Sequence, residues 1–123
     1  MQKVSTQNAP KAIGPYSQAI ISGSLVFTSG QIPLSLEGVI VGNDIVSQAE
    51  QSLKNLEQVL LKAGTSLDDI VKTTCFLADM ADFALFNEVY AKYIKNAPAR
   101  SCVAVKTLPK NVLCEIEAIA EIK

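Results

Sequence analysis

The segment 113–122 constrains the fold most, because its side chains alternate with the period of a β-strand. One row is apolar and consists of Cys114, Ile116, Ala118, Ala120 and Ile122, and the opposite row holds Glu115, Glu117, Ile119 and Glu121. A strand of this kind lies against a core on one face only. The sequence therefore predicts a sheet with one covered face, and the elements that cover it must come from elsewhere in the chain.

Two segments have the apolar spacing of helices that can cover such a face. In Ile45–Ala63 apolar residues recur every three or four positions, and Gly64 supplies a stop. A second helical stripe consists of Phe83, Phe86, Tyr90 and Tyr93 or Ile94, and Pro98 ends it. We assign these aromatic residues to the core rather than to a cofactor site.

The remaining β-favouring runs predict the other strands. Residues 19–21 and 25–28 flank a hairpin-like Ser-Gly-Ser turn, residues 70–78 indicate a strand buried on both faces, and a further strand covers 101–106. This order of elements predicts an α+β fold with both helices on one face of the sheet. Local sequence alone joins the last two strands as a hairpin. We expect the 123 residues to form one domain, residues 1–123.

The alternation of the strand at 101–106 predicts which side chains share a face. Val103 and Val105 are its natural helix-facing residues, which places Arg100 and Cys102 on the opposite face. Arg100 and Glu115 are therefore expected to share the helix-free face. Because that face also carries apolar side chains, we expect it to form an oligomer interface, and the alternative is a row of glutamates in solvent.

Arg100 is the only arginine in a chain that has ten lysines. Both residues solubilise a surface, but only arginine offers a planar fork of five donors that matches a carboxylate. Arg100 is thus a candidate anion-binding residue. The alternative is an ordinary surface arginine that is single by chance.

The residue types that are absent exclude several kinds of chemistry. Without histidine, there is no Ser-His-Asp or Cys-His nucleophile system and no imidazole base. Neither glycine-rich phosphate-binding motif occurs, since the six glycines are spread out. General acid–base catalysis would therefore depend on carboxylates, tyrosines, thiols or water. This composition is compatible with a small-molecule reaction that needs no cofactor.

Charge and cysteine content bear on partners and location. The net charge is −1, the isoelectric point is about 5.4 and the lysines are scattered, which disfavours nucleic acid as a partner. Three cysteines without a C-x-x-C pair fit reduced cytosolic thiols, and we expect no metal. The N-terminal stretch lacks the apolar region of a targeting signal, and no run approaches the roughly 18 apolar residues that cross a membrane. We therefore expect a cytoplasmic protein without a membrane partner.

Four segments together resemble the Rid family of reactive-intermediate deaminases, also called the YjgF family. They are IGPYSQA at 13–19, FTSGQIP at 27–33, PARSCVAV at 98–105 and EIEAIA at 115–120. The resemblance covers essentially the whole chain. It implies a chorismate-mutase-like fold, with a mixed sheet of about six strands, two helices on one face, and a barrel-like homotrimer with clefts between subunits. It also implies that the final strand lies between those near Leu25 and Ile70, and we adopt this order instead of the local hairpin.

The activity implied by the resemblance is hydrolysis of 2-iminobutanoate, 2-iminopropanoate or their enamine tautomers to 2-keto acids and ammonia. These substrates arise from threonine and serine dehydratases, and no cofactor is required. The resemblance assigns Arg100 to the substrate carboxylate and Glu115 to activation of the attacking water. It places Tyr16, Ser29, Gly30 and Cys102 along the cleft. The alternative function is a non-enzymatic binder of small 2-keto or amino acids, with RNA cleavage less favoured.

Several of these residues have a simpler structural explanation. Tyr16 can cap the core and Ser29 can end its strand. Cys102, with no histidine in the chain, is a small strand residue with a backbone contact rather than a nucleophile. Glu117 is a second carboxylate on the face of Glu115, and the resemblance favours Glu115 as the functional acid.

Overall fold

The computed structural model describes residues 1–123 and contains six strands and two α-helices. In chain order they are β1 (Gln2–Val4), β2 (Ala19–Ser22), β3 (Leu25–Thr28), α1 (Ile45–Ala63), β4 (Ile70–Leu77), α2 (Phe83–Tyr93), β5 (Ala99–Ala104) and β6 (Cys114–Glu121). All six strands form one sheet in the order β1-β2-β3-β6-β4-β5. The predicted α+β fold, with about six strands and two helices, is confirmed.

Helix α1 has the bounds that the sequence predicts, and its two ends explain why. At its start the Ser47 N–H donates to Asp44 Oδ1 at 2.8 Å, and at its end Gly64 adopts the left-handed conformation with φ of 92°. Its apolar stripe of Ala49, Leu53, Leu56 and Leu60 is fully buried. Helix α2 buries Phe86 and Tyr90, whereas Phe83 and Tyr93 are half-buried at the margin of the core, so the assignment of the aromatic stripe to the core is confirmed for two of its four rings.

Strand β6 lies between β3 and β4, as the resemblance implies, and the local hairpin with β5 is wrong. The connection from β5 to β6 passes the end of β4, where the Val105 N–H donates to Leu77 O at 2.9 Å and the Ala78 N–H donates to Leu113 O at 3.0 Å. Because β4 lies between β5 and β6, β6 has a hydrogen-bonding neighbour on both sides, and β5 is one of the two edge strands of the sheet. Nothing in the local sequence of β5 and β6 signals this crossing.

The apolar row of β6 faces the helices as predicted, since Cys114, Ile116, Ala118 and Ala120 are all buried. The prediction that strand 70–78 is buried on both faces is wrong. In β4, Thr73, Cys75 and Leu77 are buried, whereas Thr74 and Phe76 on the other face are only half-buried. The reason is that no second layer covers that face within the chain.

The predicted facing of β5 is also wrong. Strand β5 pairs with β4 in parallel, with Thr73 opposite Arg100 and Cys75 opposite Cys102. Paired residues share a face of a sheet, so Arg100 and Cys102 lie on the helix side with the buried row of β4. Val103 lies on the helix-free face and is 46% exposed. The register with β4 decides which side chains of β5 face the helices. Because β5 consists mainly of small and apolar residues, alternation within its own sequence does not reveal this choice.

Candidate active site

The first part of the candidate site is a bulge where β3 leaves β6. Phe27 pairs with Ile119, and the next pairing is Gln31 with Ile116. The chain advances four residues from Phe27 to Gln31, whereas β6 advances three between the two partners. Two hydrogen bonds fix the second pairing, from Gln31 N–H to Ile116 O at 2.8 Å and from Ile116 N–H to Gln31 O at 3.2 Å. The extra residue is a β-bulge, a device that re-aims side chains beside a functional site.

The bulge brings Gly30 against the side chain of Glu115. A Cβ placed on Gly30 would overlap Glu115 Oε2 and would lie 2.7 Å from Glu115 Cδ. The φ of Gly30 is not in the left-handed region, so the position needs glycine for space and not for backbone conformation. The Glu115 carboxylate therefore stands directly over the backbone of the FTSGQIP segment.

Glu115 is half-buried, and its surroundings make it a stronger base than an ordinary glutamate. Burial is the main cause that raises its pKa above 4.5, and the nearby charge of Glu117 raises it further. A carboxylate with a raised pKa accepts a proton from water more readily at neutral pH.

An open cleft of about 570 Å³ lies in front of this carboxylate. It is lined by Tyr16, Thr28, Ser29, Gly30, Ile32, Pro109, Glu115 and Glu117. Four of the residues that the sequence analysis singled out therefore meet in one place, namely Tyr16, Ser29, Gly30 and Glu115.

Tyr16 and Ser29 shape this cleft in different ways. Tyr16 is 53% exposed, so it does not cap the core, and its Oη accepts a hydrogen bond from the Ile13 N–H at 3.4 Å. Ser29 directly follows β3 and its Oγ donates to Ser17 O at 2.6 Å. Ser29 thus both ends its strand and ties the Tyr16 segment to the cleft.

The second part of the candidate site surrounds Arg100, which is half-buried beside α2. Its Nη1 donates to Asn87 Oδ1 at 2.7 Å. The guanidinium carbon lies 4.9 Å from the ring centre of Tyr90 and 5.5 Å from that of Phe83. These contacts suit a planar cation, which stacks on aromatic rings, better than the compact ammonium of lysine.

Arg100 has no carboxylate partner in the chain. The one ion pair within the structure joins Lys123 and Asp69 at its surface. Of the five donors of the guanidinium, only one makes a hydrogen bond. An open pocket of about 550 Å³ lies beside Arg100 and also contacts Lys95 and Pro98. Arg100 is therefore an uncompensated cation with free donors, which is the condition for binding an anion.

Cys102 lies on the same face as Arg100 and is half-buried. Burial raises the pKa of its thiol, and the charge of Arg100 opposes this only in part. A thiol with a raised pKa is protonated at neutral pH and is a poor nucleophile. This supports the interpretation that Cys102 contributes shape or a backbone contact and not covalent chemistry.

Within one chain, Arg100 and Glu115 do not meet, so the expectation that they share a face is wrong. Glu115 on β6 pairs with Phe76 on β4, and Phe76 pairs with Val103 on β5. Arg100 therefore lies two strands away from Glu115 and three residues before Val103 on β5. At strand spacings of 4.8 Å and 3.3 Å per residue, their Cα atoms are about 14 Å apart. The two side chains also point to opposite faces of the sheet.

Sequence reasoning missed the residues that hold Arg100. Phe83, Asn87 and Tyr90 are spaced i, i+4 and i+7 along α2, which places them on one helix face. The aromatic members were assigned to the core, and the polar Asn87 between them was the available signal. In this chain the Asn87 amide accepts a hydrogen bond from the Arg100 guanidinium.

No group of three or more Cys, Asp and Glu side chains is placed to hold a metal ion. Neither helix combines the length and the apolar content that crossing a membrane requires.

Known proteins match this chain along nearly its full length. The family described as Endoribonuclease L-PSP matches residues 6–122. A protein of Salmonella typhimurium named 2-iminobutanoate/2-iminopropanoate deaminase is 50% identical over 121 residues, which cover 95% of this chain and 94% of that protein. A relative from Lactococcus lactis is named as a candidate regulator, AldR, and is 51% identical over 125 residues, covering 100% of this chain and 99% of that protein.

Solved structures share the fold. The crystal structure of E. coli TdcF with bound serine superposes with a TM-score of 0.94 at 47% identity, covering 100% of both chains. At this identity and coverage, the strand order and the helix positions described above are those of the family.

Proposed function

The chain belongs to the Endoribonuclease L-PSP family, which is also the YjgF family of reactive-intermediate deaminases, and from this membership we propose that it hydrolyses 2-imino acids to 2-keto acids and ammonia. The substrates we propose are 2-iminobutanoate and 2-iminopropanoate or their enamine tautomers, and the reaction needs no cofactor. The observation that carries the proposal is the Glu115 carboxylate, a base of raised pKa that faces an open cleft over Gly30. The relative named as a 2-iminobutanoate/2-iminopropanoate deaminase supports the substrate class.

The active site is formed between two copies of the chain. In a 2-imino acid the carboxylate carbon is bonded directly to the imine carbon, so the groups that bind them must lie within a few ångströms of each other. Arg100 and Glu115 of one chain are about 14 Å apart and face opposite ways. A second copy that brings its β5 edge to the Glu115 cleft supplies the missing arginine.

The helix-free face supports such an assembly. Phe27 is 40% exposed and Val103 is 46% exposed, and half-buried Phe76 and Ile119 lie between them on the same face. Apolar side chains grouped on an uncovered sheet face are typical of an interface. We propose a cyclic homotrimer in which these faces form the interior and each cleft joins two neighbouring copies.

In this cleft Arg100 of one copy binds the substrate carboxylate with two of its free N–H donors, and so fixes the imine carbon beside Glu115 of the next copy. Glu115 accepts a proton from a water molecule while the water oxygen bonds to the imine carbon and the C=N electron pair moves to nitrogen, which takes up a proton from solvent. The product of this step is a tetrahedral carbinolamine.

The second step releases ammonia. Glu115 returns its proton to the amino nitrogen, the C–N bond breaks, and the carbinolamine hydroxyl releases its proton to solvent as the C=O bond forms, which replaces the proton that solvent supplied in the first step. The sum is one imino acid and one water to one 2-keto acid and one ammonia. Cys102 forms no bond to substrate, in keeping with its protonated thiol. Tyr16, Ser29 and Gly30 line the cleft around the reacting carbon.

The experiment that tests the function uses a threonine dehydratase, which releases the imine and enamine of 2-oxobutanoate. Keto-acid or ammonia formation is followed with and without the protein while the dehydratase is held constant. We expect the protein to accelerate release beyond the spontaneous rate. Unchanged release at every protein concentration contradicts the proposal.

A second candidate function is binding of small 2-keto or amino acids without turnover. Two observations favour it, namely a relative that is named as a candidate regulator and TdcF crystallised with serine. The two functions differ in their dependence on Glu115. If the wild type hydrolyses no imine and Glu115→Gln binds 2-oxobutanoate with the wild-type affinity, the protein is a binder and not a deaminase.

A further inference from the structure

We propose that Phe83, Asn87 and Tyr90 form a cradle on α2 that holds the Arg100 guanidinium in its binding orientation before any carboxylate arrives, and that Thr73 locks this cradle to the sheet. The identity of the carboxylate rests on the proposed function, whereas the cradle does not. Asn87, Tyr90 and Thr73 are positioning residues, since they act through Arg100.

The polar arm of the cradle is Asn87. Its Oδ1 accepts from Arg100 Nη1 at 2.7 Å, which fixes one corner of the guanidinium. An amide oxygen is neutral, so it orients the cation without cancelling its charge, and four donors stay free. A carboxylate at the same place would form an ion pair with Arg100 and compete with the ligand.

The aromatic arms place the guanidinium over two rings of α2. Tyr90 and Phe83 lie 4.9 and 5.5 Å from the guanidinium carbon, measured to the ring centres. Stacking uses the faces of the cation and leaves its edge, where the N–H donors point, open to a planar anion.

Thr73 anchors the Tyr90 ring to the strand beside Arg100. The hydroxyls of Thr73 and Tyr90 lie 2.8 Å apart in the core, and Thr73 is fully buried. Thr73 is also the β4 residue paired with Arg100. The hydroxyl pair therefore ties the ring to the same point of the sheet from which the arginine emerges, so ring and guanidinium are fixed relative to each other.

A preset arginine binds more tightly because its many rotamers are already restricted. The carboxylate itself does not change during the reaction and Arg100 remains present to orient it, so we expect loss of the cradle to raise KM more than it lowers kcat. We expect KM to rise about threefold to tenfold for Tyr90→Phe, Thr73→Val and Asn87→Ala. For Asn87→Asp, which adds a competing charge, we expect at least a tenfold rise.

Arg100 is the only arginine, so its Nε–H gives a single, unambiguous ¹H–¹⁵N signal. In the wild type we expect a sharp signal shifted by the rings, and a further shift on titration with 2-oxobutanoate. In Asn87→Ala and Thr73→Val we expect the free signal to move toward the position of a flexible arginine. Tyr93→Phe is the matched control, since Tyr93 is on the same helix but is not among the hydrogen-bond or ring partners of Arg100, and it should change neither the signal nor KM.

An Arg100 Nε–H signal that is already at the flexible position in the wild type, or a KM for Asn87→Asp within twofold of the wild type, overturns the cradle. Loss of kcat with an unchanged KM in Asn87→Ala also overturns it. A fixed arginine signal that responds to 2-oxobutanoate, in a protein that hydrolyses no imine, supports the cradle and rejects the proposed function. The two conclusions are therefore tested separately, and thermal melts of each variant identify any that fail to fold.

Discussion

Substitution of Gly30 by alanine should separate activity from stability. The added Cβ would lie 2.7 Å from Glu115 Cδ, and carbon atoms in contact sit about 3.5 to 4.0 Å apart, so the carboxylate must move by about 1 Å. A displacement of about 1 Å costs roughly 10²-fold in a reaction that depends on near-attack geometry. The side chain of Glu115 can turn aside into the open cleft, so folding should tolerate the change. We expect kcat/KM for imine hydrolysis to fall roughly 10²-fold with an unchanged or slightly higher Tm.

Gly23→Ala is the matched control, because we expect it to lower stability and to leave activity unchanged. Gly23 lies in the β2–β3 turn with φ of 62°, and a Cβ there meets nothing within 4 Å. Alanine in that conformation costs about 1 kcal/mol, which lowers Tm by about 4 °C in a domain of this size. Its kcat/KM should stay within twofold of the wild type. If Gly30→Ala keeps its activity within threefold, the close approach of Gly30 to the Glu115 carboxylate does not matter for catalysis and the assignment of Glu115 is wrong.

Two further predictions concern the charged groups. Arg100→Lys keeps the charge but loses the fork and its contacts with Asn87 and the rings, so kcat/KM should fall about thirtyfold with a much smaller effect on the thermal melt, and a wild-type rate would show that substrate binding does not need the fork. Because the pKa of Glu115 is raised, the base form is lost as the pH falls through a value above 4.5, and kcat/KM should decline on that acid limb. Glu117→Gln removes the like charge and should move the limb to lower pH, whereas a limb that stays in place shows that Glu117 does not act on the base.

The sequence predicts those parts of the fold that local patterns determine. The bounds of α1 follow from its apolar spacing and the stop at Gly64, and the buried row of β6 follows from strict alternation. The position of β6 between β3 and β4 does not follow from any local pattern. It depends on a crossing past the end of β4, and only the resemblance to a known family indicated it.

The candidate site divides in the same way. Tyr16, Ser29, Gly30 and Glu115 were named from motifs, and they do meet in one cleft. The facing of Arg100 was mistaken because the parallel register with β4, and not the alternation within β5, decides it. The approach of Gly30 to Glu115 joins residues far apart in sequence and depends on a bulge, for which neither segment carries a signal.

The claim that each site is shared between two copies is tested most directly by mixing two inactive variants. Arg100→Ala lacks the carboxylate clamp and Glu115→Gln lacks the base, so each alone should show at most about 1% of the wild-type rate. In a cyclic oligomer refolded from an equal mixture, about one cleft in four combines an intact Arg100 from one copy with an intact Glu115 from the next. The account predicts recovery of about a quarter of the wild-type rate of imine hydrolysis. A mixture that stays as inactive as its components, although the two variants are shown to assemble together, contradicts it.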